Sequence, residues 1–185
     1  EVSDEELIQF MSAYDLGEVM SCKGIAEGIE NSNFLLTMSS GAYILTLYEK
    51  RVDPRDLPFF LGLLDHLAAG GVACPVPVRA RDGEALRDLA GRRAAIVTFL
   101  PGMWPRRVTP EHCAEVGRAL AEMHLAGMSF DGTRRNALSA HAWRPLLNSA
   151  GPEVDQVQMG LMSKLQRDLD EIEAGWPADL PTGVI

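Results

Sequence analysis

Strand-like segments occupy only the first hundred residues of this chain; beyond Pro101-Gly102 every periodic segment reads as helix. This one-sided division limits the fold more than any other feature. Strands joined by short turns pair antiparallel, and helices collected at one end of a sequence pack as a group of their own. The expected class is α+β, with a five-stranded antiparallel sheet and one helix first, and helices after.

The elements can be placed from local signals. Ser3 and Glu6 form a capping-box pattern, and Leu7, Ile8, Phe10, Met11 and Tyr14 predict a short amphipathic helix ending near Gly17. Strands are expected at Leu16 to Lys23, Asn33 to Met38 and Ala42 to Glu49, the last rich in β-branched and aromatic residues. Asp53-Pro54 opens a helix with Leu57, Phe60, Leu61, Leu64 and Leu67 on one face, stopped by Gly70-Gly71. Val72 to Val78 is extended, because each residue before a proline is turned away from the α region. Leu86 to Leu89 and Ala94 to Leu100 complete the sheet. Thr109 and Pro110 start a helix to about Ala126 that is expected to bury Cys113, Val116, Leu120 and Met123. A short helix near Trp143 to Ser149 follows, then a long one carrying Val154, Val157, Leu161, Leu165, Leu169 and Ile172 on one face.

Charge narrows the function. Seventeen Lys and Arg stand against 26 Asp and Glu, a formal net charge of −9. A nucleic-acid surface needs a cationic face, so that class is disfavoured, whereas a nucleotide can be held by a few main-chain amides. Cys22, Cys74 and Cys113 are scattered and odd in number, which predicts reduced thiols in a cytoplasmic setting. No apolar run approaches the ~20 residues of a membrane span. His66, His112, His124 and His141 share no ligand spacing, His124 reading as a packed structural histidine, and no Walker-type phosphate loop is present.

Gly24-Ile-Ala-Glu-Gly-Ile-Glu-Asn-Ser-Asn-Phe34 lies between the first two strands. Glycines and small polar residues at a hairpin bend let main-chain N–H groups face an anion. The candidate nucleotide-binding residues here are Gly24, Gly28, Asn31, Ser32 and Asn33, as a flap over phosphates.

The order of elements, with Val116-Gly-Arg-Ala-Leu-Ala-Glu-Met-His124 and Gly70-Gly-Val-Ala-Cys-Pro-Val-Pro77, resembles the protein-kinase-like superfamily of aminoglycoside phosphotransferases and choline kinases. Gly24 to Phe34, Ile44 to Glu49, Asp56 to Phe60 and Arg81 to Leu86 are most similar to its homoserine kinases. The resemblance implies a nucleotide-binding lobe over residues 1–100, a hinge near 98–102 and the start of a helical lobe over 103–185. It also implies ATP with Mg2+ as cofactors, L-homoserine as small-molecule substrate, and adenine held against Thr98, Phe99 and Leu100. Thr46 stands where a kinase lysine usually meets the phosphates, and Phe60 where its glutamate partner would be; Lys23, Lys50 and Arg51 are the nearby cations, and Asp65 and Glu49 the nearby carboxylates. Gly183-Val184-Ile185 matches the residues that precede the superfamily's catalytic loop, so the catalytic base and the main metal ligand are expected beyond Ile185. Another hydroxyl kinase of the superfamily, or a non-catalytic binding module, remains open on the sequence.

Overall fold

The structure is a computed structural model and describes residues 2–26, 30–49, 53–177, 179–180 and 183. The chain divides into two compact units, residues 1–133 with 183–185, and residues 134–182.

In the first unit, α1 (Asp4–Met11) is started as its sequence demands. The Ser3 hydroxyl takes the Glu6 N–H and the Glu6 carboxylate takes the Ser3 N–H. The helix stops at Ser12, short of Gly17, where the turn tightens (Ala13 N–H to Phe10 O and Tyr14 N–H to Met11 O), and the Arg81 guanidinium donates to the carbonyls of Ser12 and Tyr14 just beyond it. Tyr14 still packs inward through the turn that follows. Gly17 has φ +77°, and a Cβ there would lie 2.0 Å from Ser39 Oγ, the atom that receives the Glu18 N–H.

Three strands then form the expected meander: β1 (Val19–Ile25), β2 (Asn31–Met38) and β3 (Gly41–Tyr48). A 3-10 turn at Pro54–Asp56 leads into α2 (Leu57–Ala69). The chain returns through β4 (Pro77–Val78), β5 (Leu86–Leu89) and β6 (Arg92–Thr98). The sheet order is β1-β2-β3-β6-β4, with β5 also paired to β6, and every pair is antiparallel. Among the described residues the sheet therefore holds six strands, one more than the five expected. The sixth is the two-residue β4, which bonds to β6 where the extended Pro-rich segment runs past it.

Strand alternation separates two faces. On one, Leu36, Met38, Leu45, Leu47, Ala94 and Ile96 are buried with Leu7, Phe10, Met11 and Tyr14 of the α1 region. Burying a Leu-sized side chain contributes about 1.5–3 kcal/mol, so this is the main core. On the other face α2 covers one end, where Leu61 meets Ala85 and Ala95 beside Tyr48 and Leu86.

The helix α3 (Pro110–Gly127) begins at Thr109 as expected, with the Thr109 N–H bonded to His112 Nδ1 at 3.1 Å. Its C-terminal end meets α2: His66 Nε2 lies 3.0 Å from Ala126 O, and Phe59 and Phe130 stack edge to face. The expected burial of Cys113, Val116 and Leu120 is not observed; all three are exposed, Val116 by 68% and Leu120 by 47%. Periodicity identifies an apolar face but carries no information about what covers it. His124 Nε2 is buried with no hydrogen-bond partner among the described residues.

The second unit contains α4 (Ala140–Ala150), α5 (Val154–Val157) and α6 (Leu161–Ala174). The single long helix expected here is broken. Gly160 adopts φ +79°, which interrupts the ladder, and Asp155 Oδ1 instead accepts the Met162 N–H at 2.8 Å. Arg144 joins α4 to α6 by bonding Asp170 and Glu173, and Trp143 packs edge to face on Trp176. Among the described residues no helix is long and apolar enough to cross a membrane.

Candidate functional site

The register brings two of the candidate residues, Asn33 and Thr46, side by side on the less covered face of the sheet. Ile25, Asn33, Thr46 and Ala95 form one row across β1, β2, β3 and β6. Lys23, Leu35, Ile44 and Val97 form the next row on the same face. Leu35, Ile44 and Val97 are half-buried, unlike Leu36, Leu45 and Ile96, which alternate with them and are closed off. An apolar strip this open, with a polar pair beside it, can take a flat apolar ligand that carries a polar extension.

The polar pair is Asn33 and Thr46. Thr46 Oγ1 donates to Asn33 Oδ1 at 2.8 Å, which fixes the Asn33 carboxamide with its NH2 group away from the bond. Thr46 thus stands in the middle of the face as a hydroxyl, with no cationic side chain in its place.

Asn31 and Ser32 were expected in the hairpin bend, with the second strand starting at Asn33. The strand starts two residues earlier, so Asn31, Ser32 and Asn33 are the first three residues of β2, paired with Tyr48, Leu47 and Thr46. Asn31 Oδ1 accepts the Glu49 N–H at 3.3 Å, and Ser32 Oγ donates to Glu49 Oε1 at 2.7 Å. Alternation puts Ser32 on the opposite face from Asn33. Gly24 lies within β1 opposite Phe34, and its ideal Cβ position is 4.0 Å from the Phe34 ring. Gly28, Lys50 and Arg51 lie outside the described residues.

Glu49 also accepts Arg92 Nη1 at 2.8 Å, so one carboxylate ties the start of β2 to the start of β6. The Ser32 hydroxyl first, and then Arg92, hold the Glu49 carboxyl below the usual glutamate range. Asp65, the other carboxylate singled out, is paired with Arg79. Neither is available as the ion-pair partner of a lysine near Thr46. Arg92 had no signal in the sequence, since its role depends on the hairpin between β5 and β6 bringing it to Glu49.

At the far end of β6, Thr98 N–H donates to Val76 O at 2.9 Å and Phe99 N–H to Ala42 O at 3.3 Å. Phe99 and Leu100 then leave the sheet, 42% and 47% exposed. Among the described residues the Leu100 N–H has no main-chain acceptor. Trp104 is 93% exposed.

A separate concavity of about 420 Å3 lies between α1 and the β5–β6 turn, lined in part by Glu6, Phe10, Arg87 and Asp88. Its charges are already committed: Glu6 to Ser3, Arg87 to Asp82 and Asp88 to Arg93. Among the described residues no three His, Cys, Asp or Glu side chains converge as a metal site.

The phosphotransferase enzyme family matches this sequence over residues 21–185. The chain belongs to that family. Phosphotransferase relatives with curated names are similar along all 185 residues: the homoserine kinase of Paramagnetospirillum magneticum at 58% identity and that of Rhodospirillum rubrum at 57%. The chain spans 57% and 58% of the lengths of these two relatives. Among solved structures, spectinomycin phosphotransferase in complex with ADP and spectinomycin is similar with a TM-score of 0.59 at 14% identity, over 94% of this chain and 55% of that one. A microcompartment-associated aminopropanol kinase gives 0.56 at 22%, over 78% of this chain and 49% of that one. These likenesses show the fold, which is the protein-kinase-like α+β arrangement of the phosphotransferases.

Proposed function

We propose that this chain is the nucleotide-holding portion of a cytoplasmic, ATP-dependent kinase that phosphorylates the side-chain hydroxyl of L-homoserine, giving O-phospho-L-homoserine for threonine biosynthesis. The observation that carries this reading is the 58% identity over all 185 residues to a homoserine kinase, 57% of whose length is matched. Local physics supports it. The half-open strip of Ile25, Leu35, Ile44 and Val97 suits one face of a purine, and the segment Thr98-Phe99-Leu100 that leaves β6 at its border offers main-chain groups to the purine edge.

In this reading residues 1–100 act as the nucleotide lobe, 98–102 as the hinge, and 103–185 as the beginning of the helical lobe. The segment that joins β1 to β2 is assigned to the phosphates through its main-chain amides, which suits a chain of net charge −9. Asn33 presents its NH2 group on the same face. Of the three cations considered, Lys23 stands on that face, exposed, in the row of Leu35 and Ile44. ATP supplies the phosphoryl group; this chain's part is to bind, orient and screen it. The described residues do not form a Mg2+ site by themselves. The metal ligand and the carboxylate that takes the hydroxyl proton are assigned to the part of the longer relatives that this chain does not match.

The test is ADP release by the full-length protein with ATP and Mg2+, comparing L-homoserine with choline, an aminoglycoside and a sugar. Homoserine-dependent turnover is expected. Turnover with one of the others reassigns the acceptor, and nucleotide binding without any turnover makes the protein a binding module.

A further inference from the structure

The last residue of β6 departs from the ladder in one atom. Opposite β3, Tyr43 and Thr98 are flanked by the Phe99 N–H to Ala42 O bond, which makes them a non-hydrogen-bonded pair. The Thr98 N–H and C=O therefore point away from β3, toward Val76. A regular antiparallel pair would exchange two bonds there. Thr98 N–H does donate to Val76 O, at 2.9 Å. The return bond does not go to the Thr98 carbonyl: Val76 N–H donates at 2.9 Å to the Thr98 side-chain hydroxyl. The ladder is satisfied, and the Thr98 carbonyl is left with no main-chain donor among the described residues. In extended backbone a carbonyl and the N–H two residues later face the same side. The Phe99 N–H still bonds Ala42 O, so the strand direction carries one residue past Thr98, and an extended Phe99 sets the free Thr98 C=O beside the Leu100 N–H, an acceptor next to a donor, at the border of the half-open strip.

We infer that the Thr98 hydroxyl is a positioning and specificity-determining residue: by taking the Val76 amide it keeps the Thr98 carbonyl open, so that the 98–100 edge accepts a 6-amino purine and rejects a 6-oxo purine. This rests on the nucleotide reading above. An adenine edge offers an amino donor and a ring-nitrogen acceptor, the complement of this pair. A 6-oxo purine offers an acceptor and a ring N–H, so it sets acceptor against acceptor and donor against donor, and each unmade bond in a desolvated site is costly. The motif could not be read from the sequence, because it depends on Val76 arriving beside Thr98 across 22 residues.

The experiment is calorimetric titration of the full-length protein with ATP and with ITP, for the unaltered protein, Thr98→Val and Thr98→Ser. Valine keeps the shape and removes the acceptor, so the Val76 N–H turns to the carbonyl. ATP affinity is expected to fall roughly tenfold while ITP affinity changes little, collapsing the ATP-to-ITP ratio; serine is expected to keep the ratio. The ratio is independent of how much of a variant folds. An unchanged ratio in Thr98→Val overturns the inference while leaving the nucleotide site in place. Failure of the unaltered protein to bind ATP overturns the nucleotide reading, and this inference with it.

Discussion

Glu49 and Arg92, 43 residues apart in sequence, meet at 2.8 Å at one end of the sheet, and the same Glu49 oxygen receives the Ser32 hydroxyl at 2.7 Å. Three strands are fastened at the point where the hairpin bend between β1 and β2 begins. Because both partners stabilise the ionised form, the Glu49 carboxyl is held below its ordinary value of 4.5. A depressed carboxyl contributes stability that is present above the ordinary value and is lost as the pH falls through the lowered one. Glu49→Gln is therefore expected to melt below the unaltered protein at pH 7, with the gap narrowing as the pH drops past 4.5. Thermal melts across that range check it, and a gap that stays constant with pH would remove the charge from the account.

Thr46 and Asn33 give a test of the candidate site itself. Thr46→Val removes the donor to Asn33 Oδ1 and should cost about 1 kcal/mol of stability. If Asn33 also serves the phosphates, losing its fixed orientation raises the Michaelis constant for ATP in the full-length protein. A stability loss with an unchanged ATP dependence would leave Asn33 a sheet residue alone.

Tyr14 is 4% exposed, and its hydroxyl meets no partner among the described residues. Burial pushes its phenol from 10.0 up to about 12. Tyr14→Phe is expected to leave stability unchanged or raise it by up to about 1 kcal/mol, since an unsatisfied polar group is removed from the core. Burial penalises only the ionised phenol, so the shift leaves stability untouched below pH 10 and destabilises the folded state as pH climbs toward 12, and the variant should gain on the unaltered protein over that interval. Denaturant titrations at pH 7 and above pH 10 decide it; a clear loss at pH 7 would mean that the hydroxyl is bonded in solution.

Gly70 and Ala126 set the approach of α2 to α3. An ideal Cβ on Gly70 would lie 3.3 Å from the Ala126 Cβ, tighter than an easy contact, although the Gly70 backbone (φ −76°) suits any residue. Gly70→Val should thus cost about 1–3 kcal/mol through overpacking, and Gly70→Ala less. Equilibrium unfolding of the two variants measures the difference. Equal stability would show that the two helices slide apart freely at this point.

Composition and periodicity alone specified much of this molecule. The Ser3–Glu6 capping box, the strands through Met38, Tyr48 and Thr98, the Gly70-Gly71 stop and the switch to helices after Gly102 follow from short-range rules, because caps, turns and alternation are decided within a few residues. What tertiary structure decided is which atoms face each other across many residues. It drew Asn31 and Ser32 out of the bend into β2, brought Arg92 to Glu49, and gave the Val76 amide to the Thr98 hydroxyl. It also left the apolar side of α3 exposed and broke the last helix at Gly160. A local pattern fixes the direction of a side chain relative to its own element; only the register between elements fixes its partner, and register is settled by the summed burial and bonding of the whole sheet.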